Sequence, residues 1–258
     1  MYRYPKDEVS NNLDFYQTDY QQGMTTEMPA PAELSYLLAS SFRGSEKDLS
    51  VDVRIVQEQR ESGRLLDYGC SWGYGVYQFR QVGYDAIGFE ISKPRAEYGR
   101  KHLQVEIIDA FAGLDALEPG SFDVIHCSHV LEHLPELRSA FAIFQRVLKP
   151  SGILVIFVPH AGGKKARELG VRWGPMINEK HCLALDAAVF AHTLPRYDLS
   201  PVFGSSPYNL PLVPYESAEQ VEKALTGDEL LVIARPVAEG RSTNGLSLDG
   251  VSRLGGER

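Results

Sequence analysis

The sequence predicts an α/β domain built on a mostly parallel β-sheet with helices on both faces, and three observations carry that prediction. From Arg64 to Pro159 short apolar runs alternate with segments of helical period. Strand and helix alternating at that interval give a parallel sheet covered on both sides. The first apolar run, Arg64–Gly69, passes directly into a glycine-rich turn, the place where such sheets bind ligands beyond their strand ends. Finally, 258 residues at 43% hydrophobic content suit one large domain with a single core.

Taken in order, Pro31–Phe42 and Leu49–Gly63 have helical spacing and form an N-terminal helical cap over residues 1–63, with Gly63 as the stop signal. The sheet domain follows over 64–236. Strands are predicted at Arg64–Gly69, Tyr84–Glu90, Val105–Asp109, Phe122–Cys127 and Gly152–Pro159, and helices at Gly75–Gly83, Pro94–Leu103 and Leu134–Leu148. After Pro159 the alternation loosens. Residues 160–195 hold two short helical stretches and a polar loop, and 205–227 hold a proline-rich segment and a short helix, so both read as insertions on the substrate side. Asp198–Gly204 and Glu229–Pro236 are the last β candidates. Residues 237–258 are rich in Gly, Ser and Arg with little apolar content, which predicts a disordered tail.

The formal net charge of −8 and the lack of a Lys/Arg cluster argue against nucleic acid as a partner. The first residues lack the apolar core of a signal peptide, and no apolar run reaches the length of a membrane span. Cys70, Cys127 and Cys182 are too few and too scattered for a disulfide framework. A cytoplasmic protein is the expectation, with a homodimer as the commonest assembly.

The glycine turn narrows the ligand by elimination. A dinucleotide fingerprint needs G-x-G-x-x-G, but Gly73-Tyr74-Gly75 is followed by Gln78 where the third glycine belongs. A triphosphate loop needs Gly-Lys-Ser/Thr, and the turn has no lysine. What remains is Asp67 ending the first strand, glycines at 69, 73 and 75, and Glu90 ending the second, where a carboxylate accepts both hydroxyls of a ribose. An adenosine ligand without a pyrophosphate fits best.

These motifs, in this order, resemble the class I S-adenosylmethionine-dependent methyltransferases, and among them the small-molecule, ubiquinone-biosynthesis-like type. "LLDYGCSWG" is similar to the family's Asp/Glu-x-Gly-x-Gly-x-Gly loop, "GFEIS" to its ribose-binding strand end and "IIDAF" to its adenine-contacting turn. "FDVIHCSHVLEHL" resembles the fourth-strand signature and "LKPSGILVIFVP" the turn into the fifth strand. The resemblance implies a Rossmann-like doubly wound sheet, mostly parallel with an antiparallel C-terminal edge strand, and S-adenosyl-L-methionine as cofactor. It also implies a cofactor-binding set of Asp67, Gly69, Cys70, Gly73, Glu90, Ile91, Asp109, Ala110 and Ser128. Within it Gly69, Gly73 and Ser128 face the methionine moiety, Asp67 organises the loop, Glu90 takes the ribose and Asp109 and the Ala110 backbone take the adenine. Ser71 replaces the family's middle glycine, so its backbone has to stay out of the regions open only to glycine.

Methyl transfer asks mainly for positioning, because the sulfonium is already activated. A hydroxyl acceptor must in addition lose its proton, and a neutral imidazole suits that role near neutral pH. The family pattern puts Glu132 and His133 just after the fourth strand and brings Trp173 and His181 to the pocket. His181 is the preferred base and His133 the second, with packing or capping as the alternative for each. A zinc or magnesium site on His129, Glu132 and His133 is a further reading. Pro135 argues against it by making the segment a loop, so no metal is assigned. Cys182 reads as a buried thiol, and Tyr16 and Tyr20 as rings that either meet the sulfonium or pack the cap. The function expected is methyl transfer to a small-molecule acceptor, oxygen ahead of nitrogen or carbon. A nicotinamide-dependent oxidoreductase and a non-catalytic cofactor-binding module are the rivals.

Overall fold

The structure is a computed structural model and describes residues 27–178 and 181–237. Tyr16, Tyr20 and all but the first residue of the expected tail lie outside the described residues. Seven strands form one sheet in the order β3-β2-β1-β4-β5-β7-β6, with β1 Arg64–Tyr68, β2 Asp85–Phe89, β3 Ile107–Ile108, β4 Phe122–Ser128, β5 Leu148–Pro159, β6 Leu199–Ser205 and β7 Glu229–Pro236. The first five are mutually parallel, and β7 runs antiparallel between β5 and β6. The strand order reverses between β1 and β4, where Asp67 and His126 are register partners. In doubly wound sheets the ligand site lies beyond the strand ends at such a reversal.

Side chains two apart along a strand share a face, so β1 sends Leu66 and Tyr68 to one core and Leu65 to the other. The first core is closed by α6 (Arg138–Val147) and α9 (Ala187–Thr193), which contribute Phe141, Phe144 and Phe190. The second is closed by α1 (Pro31–Ala39), α2 (Ser50–Gln59), α3 (Tyr74–Gln81) and α4 (Lys93–His102). The cap helices thus share a core with the sheet. Phe42, just past α1, is fully buried, its ring 6.1 Å from that of Trp72 in the glycine loop.

Several boundaries differ from the sequence reading, for local reasons. The helix expected from Leu134 begins at Arg138, because Leu134 precedes Pro135 and is extended, and because the Glu136 carboxylate caps the Arg138 and Ser139 amides at 2.7 and 3.3 Å. β3 shrinks to two residues, and a helix the sequence did not announce, α5 (Phe111–Asp115), follows it. The stretch from 160 to 195 holds α7 (Lys164–Leu169), α8 (Gly174–Ile177) and α9 rather than two helices. The 205–227 segment carries α10 (Ala218–Ala224), capped by Ser217, whose hydroxyl accepts from the Gln220 amide at 3.1 Å. No helix among the described residues is long and apolar enough to cross a membrane.

Candidate functional site

The glycine loop is fastened to the second strand from both sides. The amides of Gly69 and Cys70 both donate to the Phe89 carbonyl, at 2.8 and 3.0 Å, and the Ser71 amide donates to the Glu90 carboxylate at 3.0 Å. The other Glu90 oxygen accepts from the Ser92 amide at 2.7 Å, so one buried carboxylate organises the ends of β1 and β2 together. Burial pushes the Glu90 carboxyl up, and these amides together with the Arg95 guanidinium work against that. Arg95 is itself fully buried and donates to the Ser71 hydroxyl at 2.9 Å.

Gly69 and Gly73 have φ of +83° and +79°, which glycine takes at no steric cost. Each also lies against the chain's own side chains: a Cβ on Gly69 would come within 2.2 Å of Val130 Cγ2, and one on Gly73 within 2.7 Å of Val105 Cγ2. Ser71 has φ of +51°, inside the small left-handed region that a side chain tolerates and outside the space reserved for glycine. Cys70 tucks its buried thiol under Gly88, where it also donates to the Ser71 carbonyl at 3.6 Å.

The residues expected to meet the adenosine lie just beyond the ends of β2 and β3. Ile91 is partly buried, Asp109 is half-exposed and paired with Arg100 at 2.8 Å, and Ala110 is exposed as the residue capping α5. Phe111, which the sequence reading passed over, is exposed with its ring 5.4 Å from that of Phe89 and supplies an apolar face there. Ser128 ends β4, half-buried, opposite Phe157.

Beyond Ser128 the chain makes a tight turn. His129 takes φ of +55°, Val130 covers Gly69, and a 3-10 turn over Leu131–His133 turns Glu132 inward. The Glu132 carbonyl accepts the amides of Cys182 and Leu183 at 2.7 and 3.0 Å, which pins the distant 181–183 segment here. His181 and His133 thereby meet edge to face, ring centroids 4.7 Å apart, and ligand atoms of Glu132, His133 and His181 lie within 4.8 Å of one another. The Glu132 carboxylate is 2% exposed, and neither of its oxygens has a hydrogen-bond partner among the described residues. Burial would raise its pKa, but His129, 3.4 Å away, and His133 outweigh that and hold it as the anion. Burial and then the facing His133 push His181 down, which keeps its imidazole neutral at neutral pH. His129 is the opposite case. Its side chain is half exposed, and desolvation is outweighed by the carboxylates of Glu132 and Glu229 on either side, which push its pKa up to about 10. Trp173 is buried just before α8, whose Pro175 carbonyl supports the His181 ring.

His126 of β4 is buried next to Asp67. His126 places Nδ1 2.8 Å from Asp67 Oδ1 and Nε2 3.0 Å from Asp52 Oδ2 of α2, between the rings of Phe79 and Phe157.

A doubly wound sheet with a glycine loop after β1, a buried acid after β2 and an acid–histidine turn after β4 is the arrangement of a nucleoside-cofactor methyltransferase. The residues present fit S-adenosylmethionine, because the loop and strand end also hold two buried donors, Trp72 Nε1 and Ser92 Oγ, with no partner among the described residues. Residues 49–202 match the family described as Methyltransferase domain, and the chain belongs to that family. Its class is the class I S-adenosylmethionine-dependent methyltransferases, with S-adenosylmethionine as cofactor. Among similar proteins, a ubiquinone biosynthesis O-methyltransferase of Thiobacillus denitrificans is 32% identical over 96 residues, 34% of this chain and 41% of the relative. One of Alkalilimnicola ehrlichii is 31% identical over 102 residues, 37% of this chain and 41% of the relative. The matches thus span about two-fifths of these relatives' lengths. A SAM-dependent methyltransferase from Archaeoglobus fulgidus shares the fold at TM-score 0.54 and 19% identity, covering 78% of this chain and 98% of its own. A geranyl diphosphate C-methyltransferase from Streptomyces coelicolor A3(2) does so at 0.55 and 16%, covering 88% and 98%.

Proposed function

We propose that the protein transfers a methyl group from S-adenosylmethionine to a hydroxyl oxygen of a small-molecule acceptor. The observation that carries this reading is the convergence of Glu132, His133 and His181 just after β4, with Glu132 two residues beyond the Val130 that covers the glycine loop. When bound, the cofactor supplies a methyl group already activated on a sulfonium.

In this reading the loop residues Asp67, Gly69, Cys70 and Gly73, with Ser128, hold the methionine end. Glu90 and Ile91 take the ribose, and Asp109 and Ala110 take the adenine. His181, neutral and half-buried, accepts the proton of the acceptor hydroxyl at its imidazole. His133 packs against its face and Glu132 lends a fixed negative charge that stabilises the imidazolium as it forms. The oxygen preference is supported by the relatives named ubiquinone biosynthesis O-methyltransferase. A cytoplasmic location, supported by three buried free cysteines, and a homodimer belong to the same reading.

A second reading follows from the cluster itself: the three side chains present one carboxylate and two imidazoles, a donor set suited to a divalent cation, which would bind the acceptor oxygen directly.

Calorimetric titration with S-adenosylmethionine, S-adenosylhomocysteine and NAD tests the cofactor. Micromolar binding of the two sulfur nucleosides with NAD silent supports it, and binding of NAD alone overturns it. Turnover is then followed by product mass on a panel of phenols, catechols and sugars, with and without a chelator. Methylation of a hydroxyl that survives chelation and fails in His181→Ala selects the base reading, and loss on chelation with recovery on adding a divalent ion selects the second.

A further inference from the structure

His126 sits where the cofactor loop, the sheet and the cap meet. Both ring nitrogens lie within hydrogen-bond distance of a carboxylate oxygen, Asp67 on one side and Asp52 on the other. A neutral imidazole has one N–H and can satisfy only one of these contacts; the other would set a nitrogen lone pair against a carboxylate. Two protons must therefore lie in the two contacts, and an imidazolium between two carboxylates provides them. The surroundings make that charge consequential. The histidine is 1% exposed and flanked by Phe79 and Phe157, and its ring nitrogens meet the two carboxylates. Asp67 is the last residue but one of β1, and its second oxygen lies against Gly75 in the first turn of α3, where a Cβ would come within 2.5 Å of it. Asp52 belongs to α2, which precedes the whole sheet domain in sequence.

We infer that His126 is a positioning residue for cofactor binding: as a doubly donating bridge it locks cap helix α2 to the acid at the root of the glycine loop, so that cap and loop hold their geometry together. The inference rests on the cofactor reading above, but the charge of the bridge can be measured without it. The groups facing the bridge are Asp52 from α2, Asp67 from β1 and the two apolar rings. Cys70 and Glu90 near Asp67, Cys127 on β4 and Tyr208 near Asp52 are the next titratable neighbours. Burial pushes His126 down, and the hydrogen bonds and charges of Asp52 and Asp67 more than reverse this, to about 9.

The test uses the full chain labelled with 15N-histidine. Long-range nitrogen–proton spectra at pH 7.5, with the His126 signal assigned by its loss in His126→Asn or, if that variant does not fold, by its shift in Asp52→Asn, are expected to show both ring nitrogens protonated. A neutral tautomer overturns the inference. S-adenosylhomocysteine affinity is then followed from pH 7 to 10.5. The wild type is expected to hold its affinity to about pH 8.5 and lose it above, and Asp52→Asn to lose it at least one pH unit earlier, because one carboxylate no longer stabilises the cation. Superimposable profiles overturn the positioning role. Absence of binding at every pH overturns the cofactor reading instead, and the spectra still decide the charge of the bridge.

Discussion

At the scale of single residues the site rests on backbone that only certain side chains allow. Gly69 combines positive φ with Val130 packed where a Cβ would go. Gly69→Ala therefore meets two separate penalties, and is expected to lower stability by about 2 kcal/mol or more in urea denaturation. Adding Val130→Ala should recover the steric part and leave the conformational part, so full recovery would mean that φ does not matter here. Glu90→Gln replaces an acceptor-only carboxylate with a group that carries an N–H₂ donor, although the amides of Ser71 and Ser92 each need an acceptor. Cofactor affinity by calorimetry should fall by on the order of 2 kcal/mol, about thirtyfold. His181→Ala should leave that affinity within about twofold and cut kcat by about 10²- to 10⁴-fold. A variant that keeps its turnover would make His181 a packing residue. Glu90, Gly69 and the Glu-His pair were legible in the sequence because their signal is local: a strand, a turn and a fixed spacing. Arg95 was not, because an arginine near a helix start looks like surface until the fold buries it against Ser71.

At the scale of elements the cap is tied to the sheet by polar links that no local pattern announces. Gln78 of α3, which in sequence merely spoiled a dinucleotide fingerprint, accepts from the Leu49 amide at 3.0 Å and donates to the Lys47 carbonyl at 2.8 Å, 29 and 31 residues away. Arg60, just past α2, pairs with Asp123 of β4, which also takes the Lys149 ammonium at 2.6 Å and the Arg64 amide at 3.0 Å. Burial works against the Asp123 anion, yet the Lys149 hydrogen bond, the Arg64 amide and the two cations hold its pKa below the ordinary carboxylate range. Strand and helix order could be read from periodicity because each element is set by its own residues. These links join positions far apart in the chain, so only the fold reveals them. Gln78→Ala should cost about 2 kcal/mol, since it strands the partly buried Leu49 amide as well as losing its own bonds. The loss should be read as a lower denaturation midpoint with an unchanged slope. A reduced slope would show instead that the cap had already come away in the native state.

At the scale of the whole molecule the histidine–carboxylate contacts turn pH into a stability variable, and the sign follows from the partners. Buried His126 has a folded pKa raised to about 9, above the ordinary histidine value of about 6.5, whereas His129, raised to about 10, is half exposed and contributes less because water screens its ion pairs. A group whose folded pKa is raised contributes fully below its unfolded value and loses that contribution as pH rises through the folded one. Stability is therefore expected to decline between about pH 6.5 and 10, on the alkaline side of neutrality. Net charge pushes the same way, because a chain already at −8 gains further negative charge as pH rises. Salt separates the two causes: self-repulsion at the surface is screened within about 8–10 Å at ordinary ionic strength, whereas the contact at His126 is sealed between two rings. Thermal melts from pH 6 to 10 at low and at high salt should keep most of their alkaline decline, and Asp52→Asn should flatten it by removing one of the two carboxylates that raise His126. A decline that vanishes in high salt would assign the effect to surface charge and leave the bridge without a part in global stability.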